Sequence, residues 1–325
     1  MQAIQAYIEK QGGPEVIEWR DVALGTPEPG QVLVRQTAVG LNYIDTYHRD
    51  GTYPVELPSG LGMEAAGEVL AVGDGVHGLE PGDRVATFGP DRSAYASARF
   101  VNASSLFKLP ADIEDETAAA ALLKGCTVEA LVERCAKVEA GWPVLVHAAA
   151  GGVGLILVQW LKAIGATVIG TVSTEEKAHA AREAGVDHVI RYKKEDVAAH
   201  VREITDGQGV PVTFDGIGMT TWDVSLKATA RRGLIVSYGN AGGPVTGVNL
   251  GILAQHGSQF VTRPTLFDYY RGPGERAAGA ARVFEMIGSG AIEVAVGQRY
   301  PLRDAARAHA DLEAGLTTGS TLLMP

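Results

Sequence analysis

Residues 144–174, VLVHAAAGGVGLILVQWLKAIGATVIGTVST, carry the clearest pattern of apolar stretches and polar or small-residue breaks. Val144-Leu145-Val146 is too short for a helix and apolar throughout, which predicts a strand buried on both faces. A turn of small residues follows over 148–154. Residues 155–163 then predict a helix closed by Gly165, and residues 167–172 a second strand. A strand, turn, helix and strand of about thirty residues is the size of a βαβ crossover. The alternation continues: helices at 175–184, 195–205 and 221–230, and strands at 188–191, 210–214 and 233–238. It predicts a doubly wound parallel sheet.

The first 125 residues have a different rhythm. Short β-prone runs at 3–8, 15–20, 31–38 and 68–72 are punctuated by Gly12-Gly13-Pro14, Pro27-Glu28-Pro29-Gly30 and Pro81-Gly82-Asp83. This spacing indicates a compact barrel-like β domain. Beyond about 265 come helices near 274–288 and 303–314 and a terminal strand at 320–324. So few strands remain that this tail is assigned to the first domain. The expected fold class is therefore α/β: a Rossmann sheet over 126–265 and a β-barrel-type domain built from 1–125 plus 266–325.

The turn after Val146 suggests chemistry. Ala149, Gly151 and Gly154 occupy the three glycine positions of the dinucleotide fingerprint, with alanine in the first. Small residues let a diphosphate approach the backbone, and the helix N-terminus offers N–H groups and a partial positive charge. NAD sites usually place an acid ~20 residues beyond the glycines, on the ribose 2′-hydroxyl. Here the strand ends in Gly170-Thr171-Val172-Ser173-Thr174, with no acid. Ser173 is read as the cap of the next helix, with Glu176 completing a capping box. Lys177 falls in the first turn, where a cation opposes the helix dipole unless it faces an anion. These features favour NADPH, with Glu175 and Glu176 turned away from its 2′-phosphate.

Composition narrows the class. Among 325 residues, the formal net charge is −10 and no Lys/Arg-rich block occurs, so a nucleic-acid footprint is missing. Cys126 and Cys135 can build neither a disulfide framework nor a four-cysteine zinc site. They fit reduced thiols of a cytoplasmic protein. The first residues lack a basic segment leading into an apolar core, so no signal peptide is expected, and no apolar run has membrane-spanning length.

Three segments carry a resemblance. Gly40-Leu41-Asn42-Tyr43-Ile44-Asp45, the run Pro58 to Gly67 and Pro81-Gly82-Asp83-Arg84-Val85 resemble the N-terminal motifs of medium-chain dehydrogenases/reductases. The turn at 148–154 followed by Gln159 is similar to that of the zeta-crystallin-like quinone oxidoreductases. Arg231-Arg232-Gly233, Gly239-Asn240 and Val245 to Leu250 resemble the bacterial NADPH:quinone reductases. The resemblance runs end to end. It implies a GroES-like domain, a Rossmann domain, NADPH, a quinone acceptor held in an interdomain cleft, and a homodimer. Zinc-dependent relatives carry Gly-His-Glu and an early cysteine. This chain has Gly62-Met63-Glu64 and no cysteine between Asn42 and Asp45, so no metal is expected.

Position by position, the resemblance puts Asn42 and Asp45 beside the nicotinamide and its ribose, and Thr127 of Lys124-Gly125-Cys126-Thr127 on the cofactor. Gly151, Gly152 and Val153 face the diphosphate. Ser173, Lys177 and Tyr192 serve the 2′-phosphate and adenine side. Tyr238, Gly239 and Asn240 stand at a strand end, and Phe260, Thr262 and Pro264 close over the nicotinamide. A quinone oxygen gains negative charge on reduction, so a hydrogen-bond donor should help. Asn42, Tyr47 and Tyr53 are the candidates, the tyrosines equally as aromatic walls. His147 is read as a packed histidine. Two rivals remain: an NADPH-dependent reductase of 2-alkenals and enones, and a non-catalytic NADPH- and RNA-binding protein, against which the acidic charge weighs.

Overall fold

The computed structural model describes residues 1–272 and 274–325. The chain divides into two compact units, Met1–Lys124 with Val294–Pro325, and Gly125–Glu293. The first opens with strands β1 (Gln2–Ile8), β2 (Glu18–Ala23) and β3 (Gln31–Leu41), helix α1 (Tyr43–Asp50), and strands β4 (Ser59–Gly60), β5 (Glu64–Val72), β6 (Arg84–Phe88), β7 (Ala98–Asn102) and β8 (Leu106–Lys108). Helix α2 (Asp115–Glu129) carries the chain into the second unit. There follow β9 (Pro143–Val146), α3 (Gly152–Ile164), β10 (Thr167–Val172), α4 (Glu175–Glu183), β11 (His188–Arg191), α5 (Val197–Ile204), β12 (Val210–Asp215), α6 (Trp222–Ala228), β13 (Thr229–Ser237), α7 (Gly251–Gln255), β14 (Phe260–Thr262), α8 (Leu266–Tyr269) and α9 (Glu275–Gly288). The tail returns to the first unit with β15 (Val296–Pro301), α10 (Ala305–Glu313) and β16 (Ser320–Met324).

In the second unit the sheet order is β11-β10-β9-β12-β13-β14, every pairing parallel. The order reverses between β9 and β12, and ligands of such sheets bind beyond the strand ends at that reversal. Val144, Leu145 and Val146 are fully buried, as a strand covered on both faces requires. Leu145, Ile169, Ile190 and Val210 of four strands pack against Val197 and Val201 of α5. Burial of α3 through Leu155, Ile156, Leu157, Val158, Trp160 and Leu161 fixes that helix on the sheet.

In the first unit a sheet runs β15-β16-β3-β5-β6-β8, with β7 paired to β3, beside the small sheet β2-β1-β4. One core layer joins Ile8, Val39, Leu41, Leu61 and Tyr95 to Leu302, Ala305 and Ala308 of the tail, so the last segment closes this unit.

The expected second boundary, at 265/266, moves to 293/294. Helix α9 turns Gly279, Ala280, Val283 and Met286 inward, and Val283 packs where a Cβ on Gly125 would lie. Tyr270 donates to the Cys126 carbonyl (3.2 Å) and to Glu129 Oε2 (2.9 Å). These contacts tie residues 266–293 to the second unit, and they lie far apart in sequence. Among the described residues no helix is long and apolar enough to cross a membrane.

Candidate functional site

The turn between β9 and α3 is bent by the demands of its flanks. His147 N–H donates to the Phe214 carbonyl of β12 (3.0 Å), whereas Ala149 N–H donates to Thr171 of β10 (3.1 Å). Ala148 between them takes φ +53°, a left-handed conformation that costs an alanine roughly 1–2 kcal/mol. Its carbonyl accepts Gly151 N–H (2.9 Å). Helix α3 starts after Gly151 with no side-chain cap, so the N–H groups of Gly152, Val153 and Gly154 lack intrahelical acceptors. A Cβ on Gly154 would stand 2.2 Å from the Ala148 carbonyl oxygen. The first helical turn therefore sits on the bend, and its open donors and helix-end charge suit an anion such as a diphosphate.

At the end of β10 the cap differs from expectation. Thr174, not Ser173, is the N-cap, and its Oγ1 accepts Lys177 N–H at 3.3 Å. The helix begins one residue later than the capping-box reading required, so the third helical residue is Lys177 rather than Glu176. Ser173 thus sits half-buried between the strand and the cap, with its hydroxyl not needed for capping. Burial, then the neighbouring Lys193 charge, holds the Lys177 ammonium below the usual lysine range. Glu175 is engaged elsewhere, by Arg182 (3.1 Å) and Arg191 (2.7 Å). Tyr192, half-exposed, follows β11 and donates its N–H to Val172 at 3.2 Å. Ser173, Lys177 and Tyr192 thus stand at the carboxyl ends of two neighbouring strands, with Lys193 close enough to act on the Lys177 charge.

On the other side of the reversal, Tyr238 N–H donates to the Asp215 carbonyl (2.8 Å), and a Cβ on Gly239 would lie 2.2 Å from the Gly216 oxygen. Asn240 follows, its carbonyl accepting Gly243 N–H (2.9 Å). Thr262 ends β14 level with Val236, and Pro264 comes two residues later. Phe260 is different: it starts the strand, level with Leu234, and is 59% exposed on the sheet edge. Thr127 lies half-buried inside α2.

The first unit holds the remaining candidates. Asp45 Oδ2 accepts the Asn42 backbone N–H (2.9 Å), which caps α1. Asn42 Nδ2 donates to Glu64 Oε2 (2.8 Å) and weakly to the Gly40 carbonyl (3.4 Å). Glu64, wholly buried, also accepts Leu123 N–H (2.6 Å) and pairs with Lys124 Nζ (3.2 Å). Both Asn42 amide hydrogens therefore point inward, which weakens its case as a donor to substrate. Tyr47 is buried, with its ring 5.1 Å from Tyr53 and 5.8 Å from Tyr43, an aromatic surface. Asp45 also accepts from Tyr95 (3.2 Å), whose oxygen meets His309 Nε2 (2.9 Å); Arg49 faces His309 Nδ1 (3.1 Å) and Glu313 (2.6 Å). Arginine can only donate, so His309 Nδ1 accepts, Nε2 carries the proton, and Tyr95 is left to donate to Asp45. Burial, then the Arg49 charge, pushes His309 down to about 3. Asp45 Oδ1 has no hydrogen-bond partner among the described residues. Met63 is buried where metal-binding relatives would carry a histidine; among the described residues no three His, Cys, Asp or Glu side chains are grouped to hold a metal.

Sequence reasoning missed Lys193, Asp215 and the Glu64–Lys124 pair. The alternation ended this strand at Phe214, one residue short of Asp215, and could not show that the Asp215 carboxylate receives Ile217 and Gly218 N–H and the Thr221 and Ser225 hydroxyls, all within 2.9 Å.

Comparison with known proteins fits this architecture. A family model described as the alcohol dehydrogenase GroES-like domain matches residues 28–111, and one described as a zinc-binding dehydrogenase matches residues 152–269. The quinone oxidoreductase of Pseudomonas aeruginosa is 50% identical over 315 residues, 97% of each chain. A 2-haloacrylate reductase of Burkholderia is 44% identical over 330 residues, 98% of each chain. The crystal structure of Escherichia coli quinone oxidoreductase complexed with NADPH superposes with a TM-score of 0.96 at 47% identity, covering 99% of this chain and all of that one. The chain belongs to the medium-chain dehydrogenase/reductase family, in its quinone oxidoreductase branch.

Proposed function

We infer that this protein is an NADPH-dependent quinone oxidoreductase. The observation that carries the reading is the uncapped helix end at Gly151–Gly154 with Lys177 and Lys193 gathered at the next strand ends. A relative of that name at 50% identity and a close structural neighbour solved with NADPH support it. When bound, NADPH supplies the reducing equivalents. The protein binds, orients and screens the reacting groups. N–H groups of Gly152 and Val153, beside Gly151, hold the diphosphate. Ser173 and Lys177 hold the 2′-phosphate, and Tyr192 lies along the adenine. Tyr238, Gly239, Asn240, Thr262 and Pro264 line the strand ends. Asn42, Asp45 and Thr127 serve the nicotinamide half, with Asn42 fixed by Glu64 rather than by substrate. Tyr47 and Tyr53, whose rings meet edge to face at 63°, offer aromatic surface to a planar quinone, and a phenolic hydroxyl is the better donor to its developing oxyanion. Cys126 is buried and Cys135 half-buried, and two cysteines alone build no disulfide framework, which suits a reducing cytoplasmic compartment.

One experiment tests cofactor and acceptor together. The wild type should reduce a naphthoquinone with NADPH far faster than with NADH, and a Lys177→Ala variant should lose about tenfold of that preference, the worth of one charge-assisted contact. Equal use of both nucleotides by the wild type would remove the 2′-phosphate assignment. The second reading, reduction of α,β-unsaturated carbonyls, has the Burkholderia relative in its favour; a kcat/KM higher on a 2-alkenal than on the naphthoquinone would select it. A homodimer has a matching surface in β14, the last strand of its sheet, with Phe260 and Val261 exposed at 59% and 40%. A solution mass of 34.1 kDa rather than twice that would dismiss it.

A further inference from the structure

Four side chains beneath the nucleotide turn form one directed chain of hydrogen bonds. Ser225 Oγ donates to Asp215 Oδ2 at 2.7 Å. Its oxygen is therefore the acceptor for His147 Nε2, 3.2 Å away. A neutral imidazole with its proton on Nε2 must accept at Nδ1, so Thr171 Oγ1, at 3.1 Å, donates there. All four residues are at most 2% exposed, and burial holds His147 below the usual histidine range, which keeps it neutral. Asp215 draws further fixity from Thr221 and the Ile217 and Gly218 N–H groups. The chain links the ends of β10, β9 and β12 with α6, across the reversal in strand order.

The strained residue follows His147 directly. In a strand that simply continued, the N–H groups of residues 147 and 149 would point the same way. Here the first goes to β12 and the second to β10, and left-handed Ala148 makes the switch. Lys137, Asp206 and Ser258 also have positive φ, but they stand at or just past helix ends, where that conformation is an ordinary stop, and Arg232 takes it on an exposed irregularity of β13 beside Gly233. Ala148 has no such excuse. A strained conformation persists only where its surroundings over-determine it.

We propose that His147, locked between Thr171 and the Ser225–Asp215 pair, is a positioning residue for the dinucleotide: it pins the strand end so that Ala148 stays left-handed and the N–H groups opening α3 keep their aim at the diphosphate. The inference rests on the NADPH reading above and extends it to residues that do not touch the nucleotide.

The test is a double-mutant cycle read by NADPH fluorescence, with melting temperature recorded alongside. Ser225→Ala removes the acceptor for His147 Nε2 and should weaken NADPH binding about tenfold, the effect of one lost buried hydrogen bond transmitted to the turn. Ala148→Gly makes the left-handed conformation free of strain, so in that background Ser225→Ala should change the NADPH Kd by less than about twofold. A merely structural serine would lower the melting temperature in both backgrounds and show no such rescue. An unaltered Kd in Ser225→Ala, or the same loss in both backgrounds, overturns the inference while NADPH binding by the wild type stands. Wild-type protein that binds no NADPH overturns the cofactor reading and this inference together. Should Ser225→Ala fail to fold, Thr171→Val breaks the chain at its other end and carries the same expectation.

Discussion

A Gly154→Val variant should lose NADPH binding by at least about 100-fold and melt several degrees lower than the wild type. The added Cβ would lie 2.2 Å from the Ala148 oxygen and 2.8 and 2.9 Å from the carbonyl atoms of Ala149, all main chain. Something must move by most of an ångström. Helix α3 cannot retreat, because six of its side chains are buried against the sheet. The turn gives way instead, and the donors opening α3 lose their aim. Overpacking of this kind costs about 1–3 kcal/mol of stability, or roughly 2–4 °C for each kcal/mol in a unit of this size. The affinity loss is larger because displaced N–H groups and a shifted helix end act together on a diphosphate. Gly151→Ala is the matched control: its Cβ meets one atom, at 3.3 Å, with φ at −79°. It should keep the wild-type melting temperature within about 2 °C, as surface substitutions do. Calorimetry and nucleotide titration check both. Wild-type affinity in Gly154→Val would mean that the bend does not seat the cofactor.

That contrast shows what the sequence could disclose. The order of small residues at 148–154 announced the turn, because only small residues fit there. Which glycine is held by the fold and which by the ligand was not legible, since it depends on the path of Ala148. Several elements were legible within a residue: β11 and the almost wholly buried β16 fall on their expected spans, and α4 and α9, each with one buried and one exposed face, nearly so. Helix α2 escaped notice for a physical reason. Its Ala-rich middle is buried all round, from Ala118 to Cys126, and shows almost no periodicity. Helix α1 was hidden by its short length and by a cap that needs both Asn42 and Asp45. The fate of residues 266–293 was settled by packing between distant segments, Val283 over Gly125 and Tyr270 on Glu129. No local pattern encodes such contacts. In the site, glycines and the strand-end lysine could be found by spacing. The buried partners that fix them, Glu64 on Asn42 and Asp215 on the turn beyond β12, could not, because a lone acid in sequence looks the same whether it is solvated or surrounded.

Asp45→Asn should stabilise the protein above about pH 7 while weakening its hold on NADPH. Burial raises the Asp45 carboxyl from the ordinary aspartate value of 3.8 to about 7; the Asn42 N–H, the Tyr95 hydroxyl and the Lys124 charge pull it down, and Glu64 pushes it up. Behind Tyr95 stand neutral His309 and charged Arg49. The sign follows from proton counting. Between about pH 4 and pH 7 the folded chain keeps a proton that the unfolded chain has released, so folding grows weaker as pH rises through that window and is level on either side. At 1.36 kcal/mol per pKa unit the whole fall is on the order of 4 kcal/mol. An asparagine can accept the same two hydrogen bonds through its oxygen and never ionises, so it resembles the protonated acid at every pH. Urea unfolding of both proteins from pH 4 to pH 8.5 should therefore give free energies that nearly coincide in acid and separate in favour of the variant by neutrality. Parallel curves would show that Asp45 titrates normally. Nucleotide binding supplies the reason to keep the acid. Its second oxygen has no hydrogen-bond partner among the described residues, and a buried carboxylate with an open oxygen is an acceptor waiting for a ligand hydroxyl. NADPH affinity retained by Asp45→Asn would break that link. Stability gained with affinity lost would mark the strain as one the site requires.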